Sequence, residues 1–175
     1  DRRPVTDVLL TFGSATLELA IYTLIVALIV GLPLGMLAAY YRDRGPDAIL
    51  RVFAIFTYAP PVFFSGLILK LIFGVWLGWL PVSGRASIAT ELQLQMLPDP
   101  SGIYLIDAIR TGSMANVVDV LLHALLAALP LGMMFAGVFL RLVRTNMIGT
   151  IGREYIDSGR SRGVGEYRLV TKHAY

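Results

Sequence analysis

The stretch Leu19-Ala-Ile-Tyr-Thr-Leu-Ile-Val-Ala-Leu-Ile-Val-Gly-Leu-Pro-Leu-Gly-Met-Leu-Ala-Ala-Tyr-Tyr41 runs 23 residues without a formal charge. As an α-helix it measures about 34 Å, enough to cross a hydrocarbon core of about 30 Å. The rest of the chain has the same character. Its 175 residues are 56% hydrophobic and 15% charged, with a mean hydropathy of +0.69, too apolar for an ordinary soluble domain. Lipid is therefore the expected solvent. A helix satisfies its own backbone hydrogen bonds where no water is available, so the expected fold class is all-α, a polytopic membrane helical bundle.

Two further apolar runs accompany the first. Val120 to Leu140 is broken only by Pro130 and carries His123 near its start. Ile49 to Leu80 is uncharged except for Arg51 and Lys70 and is interrupted by Pro60 and Pro61, which reads as one kinked or tilted span. Three spans are thus expected, at about 16–41, 49–80 and 117–143, in a single membrane domain covering 1–175. No internal repeat divides it.

Charge placement orients the chain. Basic residues gather between Arg42 and Arg51, and again after Leu140 at Arg141, Arg144, Arg153, Arg160, Arg162, Arg168 and Lys172, although the net charge is only +3. By the positive-inside rule these stretches are cytoplasmic, so the N-terminus and the segment 81–116 face outside. Trp76 and Trp79 suit the outer interface. Within the outer segment, Pro98 to Gly102 makes a turn, and Ile103, Ile106 and Ile109 follow at helical spacing, predicting a short surface helix.

The spans carry packing signals. Thr23, Ala27, Gly31, Gly35 and Ala39 recur every four residues, and Ala124, Ala128, Gly132 and Ala136 repeat the device in the last span. Such ridges let another helix approach closely, although small residues are also simply common in membrane helices. Prolines 33, 60, 61 and 130 remove helical hydrogen bonds, and Pro60 biases Ala59 away from helical angles. Carbonyls freed in this way survive in lipid only beside other helices or a wet cavity. Tyr58, Pro60, Pro61 and Phe64 are accordingly candidates for lining a path. Lys70 lies in the row Gly66, Lys70, Gly74, Gly78 and either snorkels to the interface or joins that path.

Some chemistry is excluded. Cysteine is absent, which removes disulfides and thiolate sites. No GxxxxGK[ST] loop is present, and the only lysines, Lys70 and Lys172, do not follow a glycine. The chain itself is not expected to hydrolyse a nucleotide. Gly163-Val-Gly165 has no preceding strand and no third glycine, so it is no dinucleotide loop. His123 and His173 fall on opposite sides of the membrane in this topology, and no metal, cofactor or nucleic acid is expected. His123 reads as a hydrogen-bonded structural residue. After Arg144 the chain becomes amphipathic, with Gly163 able to end one helix and a second starting near Gly165. This cytoplasmic helix-turn-helix binds either a protein or anionic lipid.

Here the residues carry a resemblance. Glu154-Tyr-Ile-Asp-Ser-Gly-Arg-Ser-Arg-Gly-Val164, running into Glu166-Tyr-Arg-Leu-Val170 and His173-Ala174, resembles the EAA loop of binding-protein-dependent ABC transporter permeases, in particular the dipeptide, oligopeptide and nickel branch, with a MetI-like fold. Gly31-Leu-Pro-Leu-Gly35, Leu77-Gly-Trp-Leu-Pro-Val-Ser-Gly-Arg85 and Gly102-Ile-Tyr-Leu-Ile-Asp107 agree with it. The resemblance implies a permease subunit, not an enzyme, that moves a peptide-like or nickel-type solute. Its implied partners are a second homologous permease, two ATPase subunits, an extracytoplasmic solute-binding protein and the lipid of a bacterial-type plasma membrane. A coupling segment at 150–175 would dock the ATPase through Asp157, Ser158, Gly159, Gly163, Glu166, Tyr167 and Arg168. Asp157 and Gly159 depart from the motif's glutamate and alanine, the glycine at a cost of about 1 kcal/mol in an exposed helix. The family also has spans on either side, so the chain, opening at Asp1 without a Met, is expected to be a fragment. The rival expectation is an ATP-independent channel or anchoring subunit, and the solute itself is not written in these residues.

Overall fold

The structure, a computed structural model, describes residues 5–151, with side chains from 12 to 150. The expected coupling segment falls almost wholly outside the described residues. Those described form helices and no strand: α1 (Val5–Tyr40), α2 (Gly45–Tyr58), α3 (Val62–Leu69), a π-helical segment (Lys70–Trp76), α4 (Ile88–Gln95), α5 (Tyr104–Arg110) and α6 (Met114–Ile151). The fold is all-α. Two helical stretches, Phe12–Tyr40 and Met114–Thr150, are long and apolar enough to cross a membrane, and a third span is present if the bent pair α2 and α3 with its π segment is taken as one.

The described chain gathers into two compact units. One joins the segment ending at Val26 to Pro61–Gly132, and the other joins Ala27–Pro60 to the segment beginning at Met133. Helices α1 and α6 contribute to both.

In the first unit the core is Ala86, Leu94, Ala108 and Val120, with Leu97, Tyr104, Leu105 and Val117 packed against it. The lower half of the small-residue ridge operates here. A β-carbon on Gly132 would sit 2.6 Å from Val26 Cβ and 3.2 Å from the Thr23 carbonyl oxygen, so only glycine permits this approach. Helix α4 begins where the Ser87 hydroxyl accepts from the Thr90 N–H at 3.4 Å, a weak N-cap reinforced by Asp119, which accepts from the Ser87 N–H at 2.8 Å. The expected turn before α5 is present, with Asp99 and Gly102 both at positive φ (54° and 77°).

In the second unit Ala38, Ala54 and Leu140 form the core, bordered by Leu34, Leu50 and Phe53. Here α1 lies on α6. A β-carbon on Gly31 would meet the Ala136 carbonyl at 2.9 Å, and one on Gly35 would meet the Leu140 carbonyl at 3.0 Å. Gly137 likewise receives α2, its vacant side facing Thr57 and the Ala54 carbonyl. The small-residue ridges read from the sequence therefore meet helices of the chain itself.

The proline break behaves differently from expectation in one respect. Ala59 keeps helical angles (φ −74°, ψ −40°) and donates its N–H to the Ile55 carbonyl at 2.9 Å, and the departure falls on Pro61, where ψ is 133°. The steric bias of Pro60 on Ala59 is overcome by the continuing hydrogen bond at the end of α2. The chain then stops hydrogen bonding as a helix because Pro60 and Pro61 both lack an N–H. Beyond α3 the π segment ends at Trp76, and the chain turns at Gly78 (φ 64°), where the N–H groups of Trp79 and Leu80 both reach the Phe73 carbonyl.

Candidate functional site

Three buried carboxylates organise the two units, two in the first and one in the second. In the first unit Glu18 is buried on α1. It accepts from Arg85 at 2.5 Å, from the backbone N–H groups of Leu105 (2.9 Å) and Tyr104 (3.3 Å), and from the Tyr22 hydroxyl at 2.9 Å. Four donors fill the carboxylate's acceptor sites. Arg85 also donates to the Gly102 carbonyl at 3.1 Å and stacks over the Tyr104 ring at 3.7 Å, a cation–π contact in a partly dry setting. The residues between Pro81 and Tyr104 are thereby tied to α1.

The start of α5 is held by a second carboxylate of the same unit. Asp107, 2% exposed, accepts from the Ser101 N–H and hydroxyl (3.0 and 2.8 Å) and the Gly102 N–H (3.1 Å), with Arg110 at 3.3 Å. Arg110 in turn donates to the carbonyls of Asp99 and Pro98. Burial alone would push the Asp107 carboxyl up, but the hydrogen bonds from Ser101 and Gly102, with the Arg110 charge, outweigh it and hold the group below its ordinary range. The Tyr104 hydroxyl is pushed up, first by burial and then by the Glu91 charge.

A cavity of about 190 Å³ lies beside this cluster, lined among others by Glu18, Tyr22, Arg85, His123 and Ala127. It is smaller than the roughly 300–1,000 Å³ of a small-molecule site. With Glu18 already saturated, the cluster holds a segment in place and offers a solute no free carboxylate. His123 points Nδ1 at the Asp119 carbonyl (2.8 Å) and lies 3.4 Å from the Asp119 carboxylate. Among the described residues no group of His, Asp and Glu is placed to hold a metal.

In the second unit Asp47 is fully buried near the start of α2. Arg144 of α6 grips it with both arms, Nε to Oδ1 at 2.6 Å and Nη2 to Oδ2 at 2.7 Å, the bidentate geometry that guanidinium and carboxylate favour. Asp43 donates its backbone N–H to the same carboxylate at 3.0 Å, and Arg51 stands 3.7 Å away. Arg144, one of the basic residues on which the cytoplasmic expectation rests, thus has an internal partner. Arg141 lies over the Tyr58 ring at 5.6 Å.

The candidate path residues are divided between the units. Tyr58 ends α2 and Pro60 follows it in the second, where Tyr58 borders Gly137 and Arg141. Pro61, Phe64 and Lys70 belong to the first, where Phe64 is half exposed and Lys70 is exposed with no ion pair among the described residues. The coupling residues Asp157, Ser158, Gly159, Gly163, Glu166, Tyr167 and Arg168 lie outside the described residues. Sequence reasoning missed Glu18 and Asp47. The signal was available, since a lone carboxylate at the edge of an apolar run needs a partner.

Apolar helices of spanning length, packed through glycines and bound by buried ion pairs, define a polytopic integral membrane protein. Residues 31–175 match the family described as binding-protein-dependent transport system inner membrane component, and the chain belongs to that family. It is 34% identical over 172 residues to the probable D,D-dipeptide transport system permease protein of Escherichia coli (98% of this chain, 49% of the relative). It is 32% identical over 173 residues to the di/tripeptide transport system permease protein of Pseudomonas aeruginosa (99% and 50%). It is also 30% identical over 174 residues to the putrescine export system permease protein of Escherichia coli (98% and 53%). The chain spans about half the length of these curated relatives.

Proposed function

We propose that this chain is part of the permease subunit of an ATP-driven importer for a peptide-like solute, a nickel-type cargo being the finer alternative that the resemblance carries. The observation that carries the reading is family membership across most of the chain, together with relatives named as dipeptide permeases. In this reading spans at about 16–41, 49–80 and 117–143 cross a bacterial-type inner membrane, 81–116 faces outside and 150–175 faces the cytoplasm. A second, homologous permease completes the path, two ATPases bind inside, and a solute-binding protein delivers cargo outside.

Transport then follows from two-state physics. ATP draws the ATPases together, and the arrangement that fits the closed pair is stabilised over the other. Asp157, Ser158, Gly159 and Gly163, with Glu166, Tyr167 and Arg168, form the docking element. Tyr58, Pro60, Pro61, Phe64 and Lys70 border the path at the helix break. The small-residue packing and the buried ion pairs support a bundle that moves as stiff pieces.

The test is co-purification and uptake with the full-length protein. ATPase subunits are expected to be recovered in mild detergent, and vesicles holding the whole complex to accumulate a labelled dipeptide on ATP hydrolysis. Gly163→Trp is expected to abolish that uptake. No recovered ATPase, together with uptake indifferent to Gly163→Trp, would leave the ATP-independent channel. The relative named for putrescine export favours a second reading, outward transport. ATP-driven loss of preloaded solute, with no accumulation, would select it.

A further inference from the structure

Helix α2 runs antiparallel along α6 and is fastened to it at both ends. At its start, the fully buried Asp47 is clasped by Arg144 through two short hydrogen bonds. At its finish, Ala54, Thr57 and Tyr58 rest in the gap left by Gly137, and Arg141 covers the Tyr58 ring. Between these points lie Ala54 and Leu140, both buried, with Leu50 and Phe53 against them. The fastened length from Asp47 to Tyr58 is about 16 Å at the helical rise. The same carboxylate also binds the Asp43 N–H, so the turn between α1 and α2 is included in the assembly.

From this we propose that α2 and α6 form a single strut, closed by the Asp47–Arg144 pair, which carries movement from the C-terminal end of α6 to the helix break at Pro60 and Pro61. Asp47 and Arg144 are positioning residues for the transport cycle. The inference rests on the proposed function, because it needs the segment after Ile151 to be where force enters. Its physical basis is the pair's geometry. A single contact near Gly137 would let α2 pivot as α6 moved. Two contacts about two to three helical turns apart prevent that pivot, and the buried pair supplies the one nearest the force. A surface ion pair could not do so, since exposed pairs add little and rearrange readily, whereas breaking a buried bidentate one leaves a charge without solvent.

The experiment uses the full-length protein in its complete complex, reconstituted in vesicles, with uptake and ATP hydrolysis measured together. Removing either partner alone risks misfolding through the charge left behind, so the decisive variant is the double substitution Asp47→Asn/Arg144→Met. It removes both charges, keeps an acceptor for the Asp43 N–H and preserves most of the volume. The expected result is wild-type subunit yield and ATPase recovery, continued ATP hydrolysis, and at least a tenfold fall in solute moved per ATP. Arg144→Lys, which keeps the charge but loses the fork, should fall between wild type and the double variant. Solute moved per ATP within twofold of wild type in the double variant would overturn the inference, and so would loss of the double variant from the membrane, which would make the pair a folding element only. Failure of the wild-type complex to contain an ATPase would instead overturn the proposed function, and this inference with it.

Discussion

Gly31 offers the sharpest test of how α1 and α6 pack. A β-carbon there would stand 2.8 Å from Phe139 Cβ, 2.9 Å from the Ala136 carbonyl oxygen and 3.1 Å from Ala136 Cα. Two of these three obstacles are backbone, so no rotamer change relieves them and the helices must separate. Overpacking of this kind costs about 1–3 kcal/mol. Alanine also gains about 0.5–1 kcal/mol over glycine in a helix interior, so Gly31→Ala should lose up to about 2.5 kcal/mol net. Gly13 supplies the matched control on the same helix, because nothing lies within 4 Å of its vacant position. There Gly13→Ala should be neutral or stabilising by up to about 1 kcal/mol. Both variants of the full-length protein can be compared by the midpoint of thermal aggregation in one detergent, read by size-exclusion chromatography. If Gly31→Ala proves no less stable than Gly13→Ala, the close approach of α1 to α6 is wrong.

Other outcomes follow from the same geometry. Glu18→Gln weakens the four-donor cluster and leaves the part-exposed Arg85 without its counter-charge, and a loss of about 1.5–3 kcal/mol is expected for hydrogen bonds to a charged group, seen as reduced membrane yield that Arg85→Met on the same chain partly restores. Asp107 is held below its ordinary carboxylate value, so its stabilising effect is fully present above about pH 4 and is lost as pH falls through the lowered folded value. Protease cleavage between Leu97 and Arg110 should therefore rise on acidification below pH ~4, and Asp107→Asn should raise cleavage at pH 7 while flattening that dependence. Lys70→Glu should lower uptake without changing subunit yield, and unchanged uptake would leave Lys70 an interfacial side chain with no part in transport.

Local periodicity made the helix faces legible. Thr23, Ala27, Gly31, Gly35 and Ala39 are all buried, as are Ala128, Gly132 and Ala136, because a four-residue repeat places small side chains on one helix face whatever lies opposite. The break at the paired prolines was readable for the same reason: a missing N–H is a local fact. Partners were not. Glu18 meets Arg85 across 67 positions and Asp47 meets Arg144 across 97, and nothing in either neighbourhood names the other. Arg144 read only as one of a run of basic residues because its own surroundings are basic, yet tertiary contact gave it an acid. Helix α4 escaped notice because Ile88, Leu92 and Met96, though helically spaced, are exposed and mixed with polar residues. The path candidates Tyr58 to Lys70 rest on composition, and uptake assays are what will test them.

The contact of Gly31 with Ala136 and of Gly35 with Leu140 has a consequence for electrical tightness. Where two helices approach so closely that not even a β-carbon fits, no file of water fits between them, and neither does a lipid tail. A membrane that stores energy as a proton gradient loses it through any such file. On the proposed reading, a permease must open one route on demand while every other seam stays shut. Bulkier residues along these ridges would force the helices apart, so on that reading glycine here would serve insulation as well as packing.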